Sequence, residues 1–528
     1  MNYTMSKLIY PRLAGLLLFL AAATSSFSQN HPVKSPNVIK QFDEYATKVV
    51  NEWKIPGMSV GVIKDGKVEL LRGYGVSEAG GAPLTEKSVF QIGSVSKSFT
   101  ATIMAQLADE EKVKWDDTVK NILPDFRMYD KWVEENLQVK DIMIHRTGLR
   151  GQQGTYIPNL GYSRDDVYKM LPLLKPGYSF RGAYEYNNIT FIIAQKIIEK
   201  VTGKSWEENL RSRILEPLGM SATSANGEAF AADPNSVTPH DYGYAKGKVV
   251  NDSTWTDSVK VSPLRGEEQA LHWLTVVGPA GSVNSTSGDM LKYLQFHLNK
   301  GSVNGKQLIT RKGMNYLHRG QTITSQDSTR TTLYGHCWFV EQNNRYRLWF
   351  HTGTTWGFTT LAAFVPELNL GLIVLVNSDA SSNMRYALMR RLIDLYMGVP
   401  TKDYSKEYFE EWNKNSRESI LKAAKSPAPE KLPAPELNML AGTYDKGEIF
   451  GKAVIDIEGG EAYITVGPKG WRHKLSHVNG NEFAFRSDGH RFSVKFKTGP
   501  DASLDIDFDG GENFGEWKRI GTNNLKTK

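Results

Sequence analysis

A hydroxyl becomes a useful nucleophile near neutral pH only when a base stands beside it. Serine and lysine at helical spacing therefore carry the most chemistry per residue. This chain holds such a pair twice, at Ser94/Lys97 and Ser419/Lys422. The second pair lies in a charged stretch where both side chains read as solvated. The first lies in Phe90-Gln91-Ile92-Gly93-Ser94-Val95-Ser96-Lys97-Ser98-Phe99-Thr100. There Gly93 ends an apolar, strand-like run, and a helical pattern begins with Phe99, Ile103, Met104 and Leu107 as its apolar face. A serine at a helix start also reads as a simple N-cap. A lysine in the first turn is harder to explain as structure. The positive end of the helix dipole opposes a cation there and lowers the amine's pKa. Spacing of three puts both groups on one face. Ser94 as nucleophile and Lys97 as its base account for the pattern.

A nucleophile needs partners, and two later segments supply candidates. Tyr184-Glu185-Tyr186-Asn187-Asn188 follows the turn Pro176-Gly177 and precedes an apolar helical run at 189–201. Tyr186 and Asn188 stand two apart on a short loop and so can point the same way; the plainer reading makes them core and cap residues. His351-Thr352-Gly353-Thr354, followed by Trp356-Gly357, opens a strand pair where small residues let a substrate approach the edge backbone. Gly57-Met58-Ser59-Val60-Gly61 matches a nucleophile-elbow pattern but fails its context. That elbow needs a strand, a turn and a helix, whereas Ser59 sits inside the first strand of a hairpin.

These segments need a scaffold that brings distant parts of the chain together. The pattern at 37–50 is helical. Alternation at 57–64, the turn Asp65-Gly66 and a second strand at 67–73 then make a hairpin. A long, mostly helical centre follows. Two more strands at 358–365 and 371–376 flank the turn Pro366-Glu367-Leu368-Asn369, and a helix at 384–397 comes next. Strands at both ends with helices between predict an α+β domain whose single sheet the chain leaves and re-enters. A charged helix at 403–425 leads into four prolines within 426–435, a stiff linker. Short strands at 453–457, 462–466, 483–485, 492–496 and 504–508 then predict a small all-β barrel or sandwich. The expected domains are thus 29–402, a helix and linker at 403–435, and a β domain at 436–528.

Composition narrows the function. The 528 residues are 40% hydrophobic and 23% charged, as in a globular protein of several domains. One cysteine excludes a disulfide framework, an iron–sulfur protein and a cysteine-rich zinc site. Residues 1–28 read as a secretory signal: Lys7 and Arg12, an apolar run, then Ser26-Phe27-Ser28 before a cut at Gln29. Because that segment carries two basic and no acidic side chains, its loss would lower the net charge from +7 to about +5. A periplasmic or secreted protein is expected, with no stable membrane span after cleavage. Basic residues are scattered without interleaved aromatics, so no nucleic acid partner is expected. None of the 11 histidines makes a His-Glu-x-x-His spacing, and no glycine-rich phosphate loop follows a strand. Neither metal nor cofactor is expected; the partner is a small-molecule or peptide substrate.

Ser94-x-x-Lys97, Tyr186-x-Asn188 and His351-Thr352-Gly353, in this order, resemble the three motifs of the serine β-lactamase and penicillin-binding protein superfamily. The middle motif is similar to that of the class C branch, which also holds esterases, D-amino-acid peptidases and DD-peptidases. His145-Arg146-Thr147-Gly148-Leu149, Glu216-Pro217-Leu218-Gly219-Met220, and Gly281 with Asp289-Met290 agree, and the resemblance spans about residues 38–398. From Leu440-Ala441-Gly442-Thr443-Tyr444 onward the chain resembles the β domain often appended to such hydrolases. The resemblance implies a β-lactamase/transpeptidase-like antiparallel sheet flanked by helices, and an acyl-enzyme on Ser94. It implies that Lys97 and Tyr186 share the proton transfers and that Asn188 positions Lys97 or the substrate amide. The backbone N–H groups of Ser94 and Thr354 would form the oxyanion hole. His351 would hold the tail of the substrate or hydrogen-bond to Tyr186. Lys497-Thr498-Gly499 matches the usual third motif more literally, but it ends a strand beyond the linker and reads as surface. Histidine in place of the usual lysine removes a permanent cation and favours ester or peptide substrates over β-lactams. A receptor that is acylated, or only bound, without turnover is the second reading, because acylation needs the same residues.

Overall fold

Alternating apolar residues, a left-handed Asp65-Gly66 turn and a second strand make the first hairpin, β1 (Gly57–Lys64) with β2 (Lys67–Gly75). The structure, a computed structural model, describes residues 37–244, 259–264, 268–379, 382–425, 430–499, 502–507 and 515–521. The expected leader at 1–28 and the first linker residues, 426–429, lie outside the described residues. Six further strands complete the sheet: β3 (Thr322–Gln326), β4 (Arg330–Tyr334), β5 (Phe339–Asn343), β6 (Arg347–Thr355), β7 (Phe358–Val365) and β8 (Leu370–Val376). Their order is β3-β4-β5-β6-β7-β8-β1-β2, antiparallel throughout. Met58 stands opposite Val376 and Lys64 opposite Leu370, so the first strand is zipped to the last. The chain does leave its sheet and return to it.

Strands β1, β7 and β8 are buried on both faces, as their near-continuous apolar runs require. One face packs against α1 (Val38–Trp53), α5 (Ser382–Met397) and α6 (Tyr404–Lys425). The charged helix expected before the linker is docked along its first half. Trp53 donates to the Ser405 hydroxyl at 3.0 Å and meets Phe409 edge to face. The other face carries α2 (Ser96–Asp109), α3 (Thr190–Thr202) and α4 (Ser287–Leu298). Helix α2 is buried on every side from Ser96 to Leu107, which makes it the axis of this layer.

The C-terminal domain is one antiparallel sheet of nine strands: β9 (Gly442–Asp445), β10 (Lys452–Glu458), β11 (Glu461–Val466), β12 (Trp471–Lys474), β13 (Ser476–Asn479), β14 (Glu482–Ser487), β15 (His490–Lys497), β16 (Ser503–Asp507) and β17 (Trp517–Gly521). The order is β12-β11-β10-β9-β17-β16-β15-β14-β13, a nearly closed barrel. Its alternating burial fills the interior with Phe483, Phe485, Phe492, Phe496 and Trp517. The short strands β9, β12, β13 and β17 were not expected from sequence, since each is too brief to show a period.

Candidate functional site

Residues Gly93–Val95 form a single 3-10 turn that runs into α2. Gly93 takes a φ of +52, and a Cβ there would stand 2.7 Å from the Thr354 amide nitrogen. Gly353 is tighter still: a Cβ there would lie 1.9 Å from the Ile92 carbonyl oxygen and 3.1 Å from the Ser94 nitrogen. Two glycines thus let strand β6 pass directly against the turn that carries Ser94. This brings the backbone at Ser94 and Thr354 into one small region. The third motif lies within β6, which begins four residues earlier than expected, at Arg347.

Ser94 makes no side-chain cap, so the plain N-cap reading is set aside. Its neighbour Lys97 is fully buried, and burial pulls the amine down to about 7. The Lys97 Nζ lies 2.6 Å from Asn188 Oδ1, 3.0 Å from the Ala280 carbonyl oxygen and 3.1 Å from Ser94 Oγ. The first two oxygens can only accept. A neutral amine has two N–H bonds and one lone pair, so both bonds are engaged and the lone pair is left facing the Ser94 hydroxyl. A protonated amine donates to all three. In the neutral form the direction of the lone pair is thus set by the two other neighbours of the amine.

The amide of Asn188 is itself oriented, its Nδ2 donating to Gln152 Oε1 at 3.1 Å. Asn187 faces the other way: its Nδ2 donates to the Arg150 and Gln153 carbonyls and its Oδ1 accepts from the Thr190 amide at the start of α3. The two-residue alternation read from the loop is thus present. Tyr186 lines the same cleft as Ser94, and its ring packs 4.6 Å from Lys97 Nζ. Its hydroxyl falls short of a formed hydrogen bond, yet Ser94 lies close enough to favour the phenolate slightly. Burial wins and pushes the phenol far above its ordinary range.

His351 is buried, and its burial, with the neighbouring Lys97 adding to it, holds the imidazole down at about 3. Its Nδ1 lies 2.7 Å from the Thr352 carbonyl oxygen, which can only accept, so Nδ1 carries the proton. Nε2 then accepts from the Tyr334 hydroxyl at 3.0 Å. Both ring nitrogens are engaged, and the hydrogen bond goes to Tyr334 rather than to Tyr186. The sequence reading missed Tyr334, which arrives on β4, a polar strand without apolar alternation. It also missed His145, whose ring packs tilted against Tyr186 with centroids 4.3 Å apart and whose Nδ1 accepts from the Asn187 amide. The His145-to-Leu149 fragment was the available signal. Arg385 on α5 is a further omission: buried, it donates to the Gly353 and Thr360 carbonyls at 2.8 Å each and so anchors β6 from behind.

Ser94, Tyr186, Asn188, His351, Thr352 and Thr354 line one cleft of about 690 Å³, while Gly353 lies between two of them on β6 and Lys97 is buried beside Ser94. The decoys lie elsewhere. Ser59 is buried in β1 and hydrogen-bonded to Ser287 at 2.7 Å. Ser419 and Lys422 are exposed on α6, and Lys497 is exposed at the end of β15. Among the described residues no group of three or more His, Cys, Asp or Glu side chains could hold a metal ion, and no helix is long and apolar enough to cross a membrane.

A family profile described as Beta-lactamase matches residues 40–396. Unguisins hydrolase ungD' of Aspergillus campestris is 28% identical over 411 residues, which cover 74% of this chain and 73% of the relative. Of two further curated relatives, unguisins hydrolase ungD of Aspergillus violaceofuscus and Protein flp of Staphylococcus aureus, the chain spans 65% and 63% at 25% and 26% identity. The octameric penicillin-binding protein homologue from Pyrococcus abyssi is similar in fold, with a TM-score of 0.57 at 20% identity over 89% of this chain and 98% of that one. The class C beta lactamase from Rhodobacter sphaeroides reaches 0.52 at 21% identity, covering 68% of this chain and 98% of its own. The profile covers most of the chain and includes all three motifs. The chain belongs to the β-lactamase family.

Proposed function

We propose that this protein is an exported serine hydrolase that cleaves an ester or amide through an acyl-enzyme on Ser94. The observation that carries the reading is the buried Lys97 amine, 3.1 Å from Ser94 Oγ and held by Asn188 and Ala280 so that its neutral form turns a lone pair to that hydroxyl. As Ser94 Oγ attacks the carbonyl carbon, its proton passes to Lys97 Nζ and the carbonyl oxygen becomes an anion. The backbone N–H groups of Ser94 and Thr354 receive that charge, the term that usually dominates such catalysis. When the intermediate collapses, the carbon–leaving-group bond breaks and the proton moves to the departing nitrogen or oxygen. Tyr186, its phenol held far above neutrality, acts as a relay that takes one proton and gives up another. Water then attacks the Ser94 ester, its proton returns by the same groups, and the free acid leaves.

His351 has no part in proton transfer here, since its imidazole stays neutral and both nitrogens are occupied. It supports the strand that presents Thr352 and Thr354. Steady-state turnover of a panel of p-nitrophenyl esters and p-nitroanilides tests the proposal. Hydrolysis by the wild type and none by Ser94→Ala is the expected outcome. A wild type labelled by a fluorophosphonate yet silent on every substrate would favour the non-turnover receptor.

A further inference from the structure

Helix α5 carries two arginines that the fold treats in opposite ways. Arg390 is matched: it donates to Glu341 on β5 at 2.7 Å and forms one half of an ion pair. Arg385, nearer the start of the helix, is buried without such a match. Among the described residues no carboxylate offsets its charge, and its Nε finds no hydrogen-bond acceptor. Burial pulls the guanidinium down to about 10, so it is still a cation at neutral pH. A buried cation without a counter-charge is among the costliest groups a fold can keep. Its two hydrogen bonds both go to backbone, where Nη1 donates to the Gly353 and Thr360 carbonyl oxygens at 2.8 Å each.

The Gly353 carbonyl is one end of a peptide unit whose other end is the Thr354 N–H. A trans peptide points these two groups in opposite directions. The nucleophile's turn marks one side, since a Cβ on Gly93 would meet the Thr354 nitrogen at 2.7 Å. Arg385 holds the other side, from the helix layer behind the sheet. Resonance links the two ends, so a donor that draws charge onto the carbonyl oxygen strengthens the N–H opposite it. A charged donor does this more strongly than a neutral one. The field of the guanidinium also reaches the site: His351, held down chiefly by its own burial, is pushed further by Lys97 and then by Arg385. Lys97 is set by burial, and Arg385 is not among the groups that shift it. The cation therefore acts on the strand and leaves the base alone.

We propose that Arg385 is a positioning residue for the oxyanion hole: its unpaired guanidinium polarises the Gly353–Thr354 peptide from behind, so that the Thr354 N–H meets the developing anion as a stronger donor. The inference rests on the serine hydrolase reading. A neutral substrate carbonyl carries little charge, so the gain arises when the tetrahedral anion forms, and again when water attacks the acyl-enzyme. The counter-charge that the fold withholds from Arg385 is supplied only by the reacting substrate.

The test compares Arg385→Met, which keeps the length without charge or donor, with Arg385→Lys, which keeps a buried cation. The readouts are kcat and KM for a neutral p-nitrophenyl ester and the Ki of phenylboronic acid. Boron bonds to Ser94 Oγ as the hydroxyl proton passes to Lys97, and the adduct is a tetrahedral anion that needs no turnover. Arg385→Met should lower kcat by about tenfold at unchanged KM and raise the boronate Ki by the same factor, short of the roughly hundredfold loss of a whole donor. The ascending pH limb, set by Lys97 at about 7, should stay where it is. Arg385→Lys should return both readouts to within about threefold of the wild type. An Arg385→Met variant with full activity and boronate affinity would overturn the inference, as would a loss confined to KM or a displaced pH limb. A folded Arg385→Lys variant that loses about tenfold on both readouts would make Arg385 a mere anchor of β6, and it decides the matter even if Arg385→Met fails to fold. Variants that match a wild type labelled on Ser94 by a fluorophosphonate would defeat this inference and leave the nucleophile standing. No labelling of the wild type would instead defeat the hydrolase reading itself.

Discussion

Asn188→Asp probes the base through the neighbour that aims it. The substitution keeps the shape of the side chain and places a carboxylate oxygen where Oδ1 now sits, 2.6 Å from Lys97 Nζ. Gln152 can turn its amide to donate to the other oxygen, so the local network survives. An opposite charge this close raises a buried amine by roughly one to three pKa units. Lys97 starts at about 7, so at pH 7 about half of it is neutral. A shift of about two units leaves roughly one molecule in a hundred with a free base, a loss of about fiftyfold. The sign follows from the chemistry: the reactive form is unprotonated, so activity rises with pH and the variant needs a higher pH to regain it. The assay is kcat/KM for a neutral p-nitrophenyl ester from pH 5 to 10. The wild type should show one ascending limb near pH 7, with none from His351, whose titration lies at about 3. Asn188→Asp should show the limb displaced upward with its plateau largely regained. An unmoved limb, or an equal loss at every pH, would refute the role of Lys97 as the base.

Other expectations follow from the same geometry. Tyr186→Phe should lower kcat/KM by at least about a hundredfold while leaving the melting temperature nearly unchanged, because only a hydroxyl is lost; full activity would return Tyr186 to a packing role. Gly353→Ala forces a methyl against the Ile92 carbonyl, and activity should fall by about a hundredfold or more as the Ser94 and Thr354 amides separate. An active, equally stable alanine variant would contradict the close approach. Cys337 is buried and its thiol is pushed well up, so the folded protein should resist a thiol reagent such as DTNB until denaturant is added. Residues 1–28 are read as a leader, so N-terminal sequencing of exported protein should begin at Gln29.

Much of the scaffold was legible because its core strands are buried on both faces and must be apolar throughout. That rule recovers β1, β7 and β8 and the helices beside them. It fails for β3 and β4, whose Thr, Ser and Arg side chains lie toward the open end of the sheet and show no apolar period. Missing β4 meant missing Tyr334, and with it the reason His351 turns away from Tyr186. Ser94 and Lys97 were legible because both lie on one helical turn, and Tyr186 with Asn188 because both lie on one loop. The Ala280 carbonyl that completes the cradle is a backbone atom and leaves no mark in a residue pattern. Arg385 was out of reach for another reason: an arginine in a helix reads as surface, and only the packing of α5 behind β6 buries it against the Gly353 carbonyl.

The central claim is that Ser94 alone is the nucleophile, and peptide mapping after fluorophosphonate labelling tests it most directly. The first turn of α2 also holds Ser96 and Ser98, both buried, the first accepting from the Val283 amide at 3.0 Å and the second donating to the Val95 carbonyl at 2.7 Å. Mass spectrometry of the peptide that spans them should place a single phosphonyl adduct on Ser94, with none on Ser59 or Ser419 and none anywhere in Ser94→Ala. An adduct on Ser59, or one that persists in Ser94→Ala, would contradict the account.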